Sequence, residues 1–385
     1  MKIIYISNST IPSATANSIH VMKMCNAFSS LGHQVTLFSP LKNSSKKNGF
    51  DHITDVYSFY DVSPSFTIKK IFCFGSRIGG YLYGVFSAVK SVFSEHDVIY
   101  TRDLTAALTL CFFGRSVFYE SHAPADNSFV KKKLIGILFR RFALKKIIVI
   151  THALKDYYVN NYSFLNERIF VAPDGADPVP AYSKKIDIGL DKNKLLIGYT
   201  GHLYPGKGME IISAMASLAE WAEFHIVGGT DEDLIFWKKK SSHLQNVIFH
   251  GFQPHAVIPQ FLLSFDVLVL PNQRVVLGHG HQSSTKNIGQ WTSPLKAFEY
   301  MSTGKPILVS NIPVLREIFR DDYNALLCDP ESPADWVKKI EMLRSDPSLG
   351  LRIGRQASKE FNEQYTWQSR CQSIEHFFVK NVSND

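Results

Sequence analysis

The chain has 385 residues, 45% of them apolar and 20% charged, with five cysteines and a formal net charge of +8. That composition excludes a disordered or fibrous chain, and at about 100–200 residues per domain it points to two domains, each able to bury a core. Cys25, Cys73, Cys111, Cys328 and Cys371 show no CxxC or metal-like spacing, which excludes a zinc ribbon and argues for thiols of a reducing compartment over a disulfide framework.

The opening "MKIIYISNS" carries one basic residue and a very short apolar core, so it reads as a first strand and not as a signal peptide. Short Val/Ile-rich runs follow at 34–39, 97–101, 116–121, 146–151 and 168–173, as strands buried on both faces should. A helical segment over 18–31 closes on "LGH", a glycine stop. The most apolar stretch, "IGGYLYGVFSAV" (78–89), has only 12 residues between Arg77 and Lys90. Crossing a bilayer takes about 18 or more, so no span is expected. Residues 1–180 hold 20 Lys+Arg against 12 Asp+Glu, whereas 181–385 hold 22 of each. The densest basic run, "KKKLIGILFRRFALKK" (131–146), has seven cations and no acid. It reads as a basic, partly apolar helix able to lie on an anionic membrane surface, or as an ordinary helix with a solvated face.

The stretch 174–194, rich in Pro, Asp, Lys and Gly, is the natural linker. A second cycle of strands follows at 195–201, 223–229, 246–251, 265–271, 306–310 and 325–329. The expected fold class is therefore α/β: two doubly wound, Rossmann-like domains over 1–180 and 181–360, facing an interdomain cleft, with the C-terminal helix of 361–385 packing back on the first.

"YTGHLYPGKGME" (199–210) follows a strand and precedes a helix. Gly201, Gly206 and Gly208 admit close approach of backbone to a ligand, and Lys207 stands just before the helix start, where an anion meets free N–H groups. The spacing is neither a Walker motif nor GxGxxG, and alone it fits a glycine-rich surface turn equally well. In "TSPLKAFEYMSTGKP" (292–306) Ser293 can cap a helix with Pro294 at its first position. Lys296 then sits against the helix dipole, a cost of a few tenths of a kcal/mol that a bound diphosphate would reverse. Glu299 shares its face; a plain surface ion pair is the other reading.

These residues, with "VAPDGAD", "NVIFHGF", "YESH" and "YTRD", resemble the family-four retaining glycosyltransferases of the GT-B fold (glycosyl transferases group 1), and the resemblance covers nearly the whole chain. It implies transfer of a sugar from a nucleotide diphosphate sugar to an acceptor hydroxyl with retention, in bacterial surface polysaccharide or glycolipid synthesis. By similarity, His122, Lys207 and Glu299 are catalytic. The donor would meet Gly201, His202, Lys207, Gly251, Phe252, Ser293, Pro294, Leu295, Lys296 and Glu299. Lys207 would grip the diphosphate and Glu299 the ribose. His202 stands where an arginine is common, and Trp291 where the first glutamate of Glu-x7-Glu belongs. The loop before the first helix places Asn17 and His20 toward an acceptor, and Arg102 ends a strand beside it. Arg102 and Asp103 fit a structural pair almost as well. Glu120 orients His122 or caps a loop. "DED" (231–233) looks like a metal trap but reads better as solvated charge, so no metal or other cofactor is expected. Partners are then a nucleotide sugar, a saccharide or lipid-linked acceptor, and an anionic membrane surface through 131–146, without nucleic acid. The location is cytoplasmic or peripheral on the inner face of the plasma membrane. Alternatives are a nucleotide-sugar epimerase on the same scaffold and a non-catalytic polyanion-binding protein.

Overall fold

The computed structural model describes residues 1–43, 50, 52–74, 77–125, 128–191, 193–277, 287 and 289–382. The chain divides into two compact units, Met1–Asp174 with Trp367–Asp385, and Gly175–Thr366.

The first unit runs β1 (Lys2–Ile6), α1 (Ala16–Ser30), β2 (Gln34–Asn43), α2 (Val56–Phe59), β3 (Thr67–Phe74), α3 (Arg77–Val92), β4 (Val98–Thr101), α4 (Leu104–Phe112), β5 (Val117–Ser121), α5 (Phe129–Phe139), β6 (Leu144–Val149), α6 (His152–Asn161) and β7 (Ile169–Val171). The strands form one parallel sheet in the order β3-β2-β1-β4-β5-β6-β7. All expected strands are present. The strand β3, "TIKKIFCF", was not anticipated: Lys69 and Lys70 interrupt its apolar run, which an edge strand tolerates because solvent meets one side. The order reverses between β1 and β4, and with right-handed crossovers the helices before and after the reversal cover opposite faces. That reversal leaves α3, α4 and α5 as one layer, with α4 packed against both neighbours. The last helix of the chain belongs to this unit, packs along α1, and sets Phe378 against Phe28, Tyr100 and Phe118.

The basic run 131–146 is not one helix. α5 ends at Phe139, a turn carries Arg140 and Arg141, and Lys145 and Lys146 lie in β6. The β-branched "IIV" that follows pulls the lysines into the strand, where they ride on its half-buried end.

The second unit runs β8 (Leu195–Thr200), α7 (Met209–Leu218), β9 (Ala222–Val227), α8 (Asp231–Lys240), β10 (Val247–Gly251), α9 (Ile258–Ser264), β11 (Val267–Leu270), α10 (Leu295–Ser302), β12 (Ile307–Ser310), β13 (Leu326–Cys328), α11 (Pro333–Ser345) and α12 (Pro347–Gln364). The final helix, α13 (Trp367–Val382), is the one already placed in the first unit. Its six strands are parallel, in the order β10-β9-β8-β11-β12-β13. Two apolar clusters cover the sheet: one around Tyr199, Ile212, Phe224 and Trp336, the other around Phe265, Leu268, Phe298 and Met301. Both sheets order their strands about a central reversal, so both place loops at the carboxyl ends where such sheets bind ligands.

Candidate active site

In the second unit, β8 ends at Thr200 and the chain turns through Gly201–Gly208 into α7. Gly206 and Gly208 hold φ of +89° and +92°, and a Cβ on either would lie 2.3 Å from the Val275 carbonyl oxygen or 2.1 Å from that of Pro271. Only glycine satisfies both the turn and the contact. Lys207, buried between them, rests its ammonium 5.1 Å from the Tyr204 ring centroid; burial lowers its pKa to about 8.

Opposite stands α10. Pro294 is its N-cap residue, not its first helical residue, and no side chain caps it, so Ser293 is not the cap. Pro294 has no N–H and holds an extended ψ of 121°, which makes it a natural last residue before the helix. The first-turn N–H groups have no side-chain cap, and that of Ala297 donates to the Pro294 carbonyl at 2.9 Å. Lys296 reaches back from this turn. Its Nζ is out of contact with solvent, has no hydrogen-bond partner among the described residues, and lies 3.8 Å over the Tyr199 ring. A Cβ on Gly201 would come within 2.8 Å of it. Burial, then Lys207, holds its pKa well below the ordinary lysine value. Two cations thus converge on a glycine loop and a helix start that no side chain caps, with Glu299 on the same helix held by His255 Nε2 at 3.3 Å. The same helix anchors itself to β8 through Tyr300, whose hydroxyl accepts from the Thr200 N–H at 2.8 Å.

His202 is half-buried beside the loop, and its carbonyl accepts from Tyr199 at 2.6 Å. Gly251 ends β10 at φ +70°, and its carbonyl accepts from Gly228 N–H at 2.7 Å. Phe252 beyond it is exposed. Leu295 is half-buried, and Ser293 and Pro294 are buried. The triplet Asp231–Asp233 forms the first turn of α8, where Asp233 and Thr230 close a capping box, so its charges stabilise a helix start.

In the first unit, one carboxylate organises the carboxyl ends of the strands. Glu120 on β5 is buried, and its Oε1 lies 2.5 Å from His122 Nε2, 2.9 Å from His20 Nε2 and 3.0 Å from Arg370 Nη2. Its Oε2 accepts from the Tyr100 hydroxyl. Burial alone would raise its pKa, but Arg370, then His20 and His122, outweigh it and hold the carboxyl well below the usual range. His20 Nδ1 lies 2.9 Å from Asp174 Oδ1. These His20 contacts have ion-pair distance without hydrogen-bond alignment. Arg370 is further fixed by the carbonyls of Pro173 at 2.9 Å and Ala172 at 3.2 Å.

His122 keeps 23% of its side chain accessible. Burial, then Arg102, lowers its pKa to about 4, so the ring is neutral near pH 7. Its Nε2–H is spent on Glu120, which leaves Nδ1 as a lone-pair acceptor. Glu120 thus holds the histidine ring through this contact. His20, expected toward an acceptor, is 1% exposed and lies inside this network. Asn17 is exposed, and Arg102 Nη1 donates to its carbonyl at 3.5 Å. Asp103 caps α4 by accepting from Ala106 N–H at 2.8 Å and does not pair with Arg102.

Tyr100, Asp174 and Arg370 were missed from sequence. Asp174 sat in a motif with no chemistry attached, and Arg370 reaches Glu120 from 250 residues away. His20, Glu120, His122 and Asp174 hold ligand-type atoms within 4.8 Å of one another. Arg370, 3.0 Å from Glu120, already brings a positive charge to this cluster.

Two doubly wound parallel sheets of seven and six strands are those of the GT-B class of fold. Residues 18–179 match the family model described as Glycosyltransferase Family 4, and residues 183–360 match that of Glycosyl transferases group 1. The chain belongs to this glycosyltransferase family. It is 24% identical over 239 residues to an uncharacterized glycosyltransferase of Methanocaldococcus jannaschii, covering 58% of this chain. The match spans 56% of that relative's length. Among solved structures it resembles Anabaena HepE in complex with UDP and glucose, with TM-score 0.71, 17% identity, and coverage of 98% of this chain and 99% of that one. It also resembles sucrose-phosphate synthase from Thermosynechococcus elongatus, with TM-score 0.73, 15% identity and full coverage of both chains.

Proposed function

We propose that this chain is a retaining glycosyltransferase that moves a sugar from a nucleotide diphosphate sugar to an acceptor hydroxyl. The observation that carries the reading is the pair of lysines at the glycine loop of the second unit, buried Lys207 and Lys296 with its buried ammonium. A buried ammonium with no hydrogen-bond partner among the described residues, beside a second buried lysine, is a net cost to a folded protein's stability. A diphosphate supplies the missing negative charge, and the start of α10, which no side chain caps, completes its binding. Charge that builds on the leaving β-phosphate is stabilised by Lys207, Lys296 and that helix start, with His202 alongside. Glu299 accepts from the ribose in place of His255. Gly251 and Phe252 meet the base, and Ser293, Pro294 and Leu295 border the phosphates. HepE, a structure of the same fold, is described with UDP and glucose bound.

The first unit serves the acceptor. Neutral His122 offers Nδ1 to a sugar hydroxyl, Glu120 and His20 fix its orientation, and Arg102 and Asn17 border it. With the leaving phosphate poised to take the acceptor proton, the reaction needs no metal or other cofactor. Synthesis of surface polysaccharide or glycolipid, in the cytoplasm or on the inner face of the plasma membrane through 131–146, suits the basic first unit. Lys207→Ala and Glu299→Gln, titrated with nucleotide sugars, test the donor assignment. Each should weaken binding at least tenfold; wild-type affinity in both would refute it. The anomer formed, read by NMR, tests retention.

A further inference from the structure

The helix α3 is built inside out. Its inward face is Gly79, Tyr83, Gly84, Ser87, Ala88 and Ser91, all buried. Gly84 is so close to α4 that a Cβ would lie 2.5 Å from Asp103 Oδ1. The outward face carries the large apolar side chains Ile78, Tyr81, Leu82, Val85, Phe86 and Val89, with Ile78 70% and Phe86 53% exposed. They recur at helical spacing, so they form one stripe. The stripe continues past the helix end at Phe93, and the same layer exposes Phe112 on α4 and Phe129 on α5. A contiguous apolar face of this kind marks an interaction site.

We propose that this α3 face lies in the surface of an anionic lipid bilayer. The charges select that occupant. α3, α4 and α5 contain no acidic residue, while Lys90, Lys131, Lys132 and Lys133 lie on them; Lys90, Lys132 and Lys133 are exposed. Apolar side chains on a helix whose last turn carries Lys90, in a layer that carries further lysines on α5, match acyl chains beneath anionic headgroups. A second copy docked on this face would bring these lysines against their own equivalents. The helix has 16 residues, at 1.5 Å each about 24 Å, short of the roughly 30 Å hydrocarbon core, and no helix among the described residues is long and apolar enough to cross a membrane. It therefore lies in the interface plane. The inference extends the membrane part of the proposed function, moving the apolar contact from 131–146 to α3, and is independent of the transferase chemistry.

The test is co-sedimentation of the full chain with phosphatidylcholine vesicles and with equimolar phosphatidylcholine and phosphatidylglycerol vesicles. Wild type should bind the anionic vesicles. Ile78→Gln with Phe86→Gln, both at exposed positions, should lower that binding about tenfold or more without lowering the thermal unfolding temperature. Lys131→Gln, Lys132→Gln and Lys133→Gln together should remove the preference for anionic lipid. No sedimentation of wild type would overturn the inference. So would undiminished binding of the Ile78/Phe86 variant; if the lysine variant alone then lost binding, the basic run would stand as the membrane contact and α3 would not. A wild-type dimer that the Ile78/Phe86 variant dissociates, with vesicle binding unchanged, would assign the face to a second copy.

Discussion

Lys296→Met should stabilise the unliganded protein while crippling its ligand response. The ammonium makes no hydrogen bond among the described residues and has no solvent contact. Holding such a charge costs several kcal/mol after relaxation. The first turn of α10 adds a few tenths, and Lys207 adds like-charge repulsion. The 3.8 Å stack on Tyr199 returns about 2 kcal/mol. Methionine keeps the stem's volume and its contact with the ring. The net gain is about 1–3 kcal/mol, or roughly 2–4 °C in melting temperature per kcal/mol for a unit of this size. The variant also loses a charge-assisted contact to phosphate, worth about 1.5–3 kcal/mol, which is about 10–100-fold in nucleoside diphosphate affinity. Because the folded pKa of Lys296 is depressed, the unfolded chain binds the extra proton first as pH falls below the ordinary lysine range. Wild-type stability therefore rises with pH up to that range, and the variant should flatten the slope. Thermal unfolding with and without nucleoside diphosphate, across alkaline pH, reads all three effects. A variant destabilised by 1 kcal/mol or more that keeps the full nucleotide-induced shift would show the lysine to be structural and refute the reasoning.

Two further outcomes concern the first unit. Folded His122 takes a proton only at about pH 4, against about 6.5 when unfolded, so the stability it contributes is complete above that value and is lost as pH falls toward 4. The loss is about 3 kcal/mol, and His122→Asn should remove most of it in urea titrations at neutral and acid pH; equal acid sensitivity would reject the assignment. Glu120→Gln should leave Arg370 as an uncompensated buried charge and cost about 3–5 kcal/mol. Adding Arg370→Met should recover part of that loss, whereas strictly additive destabilisation would mean that the two do not act as a pair.

Sequence alone determined the alternation of strand and helix, because buried parallel strands must be short and apolar and their crossovers must be helical. It also determined the glycine loop with Lys207 and the helix carrying Lys296 and Glu299, because residue type and spacing are local properties. The tertiary structure decided what lies beyond local reach. Arg370 meets Glu120 only after the last helix packs against α1 in the first unit, and that contact, with His20 and Tyr100, turns Glu120 into a fixed anion that sets the tautomer of His122. The cap of α10 shifted from Ser293 to Pro294, which a one-residue ambiguity in sequence could not resolve. The basic run 131–146 split between helix, turn and strand because β6 claimed its end. The apolar stretch 78–89 read from sequence only as too short to span a bilayer; which side is buried is a relation between surfaces: α4 demanded small residues on one side of α3, and the large apolar side chains were left facing out.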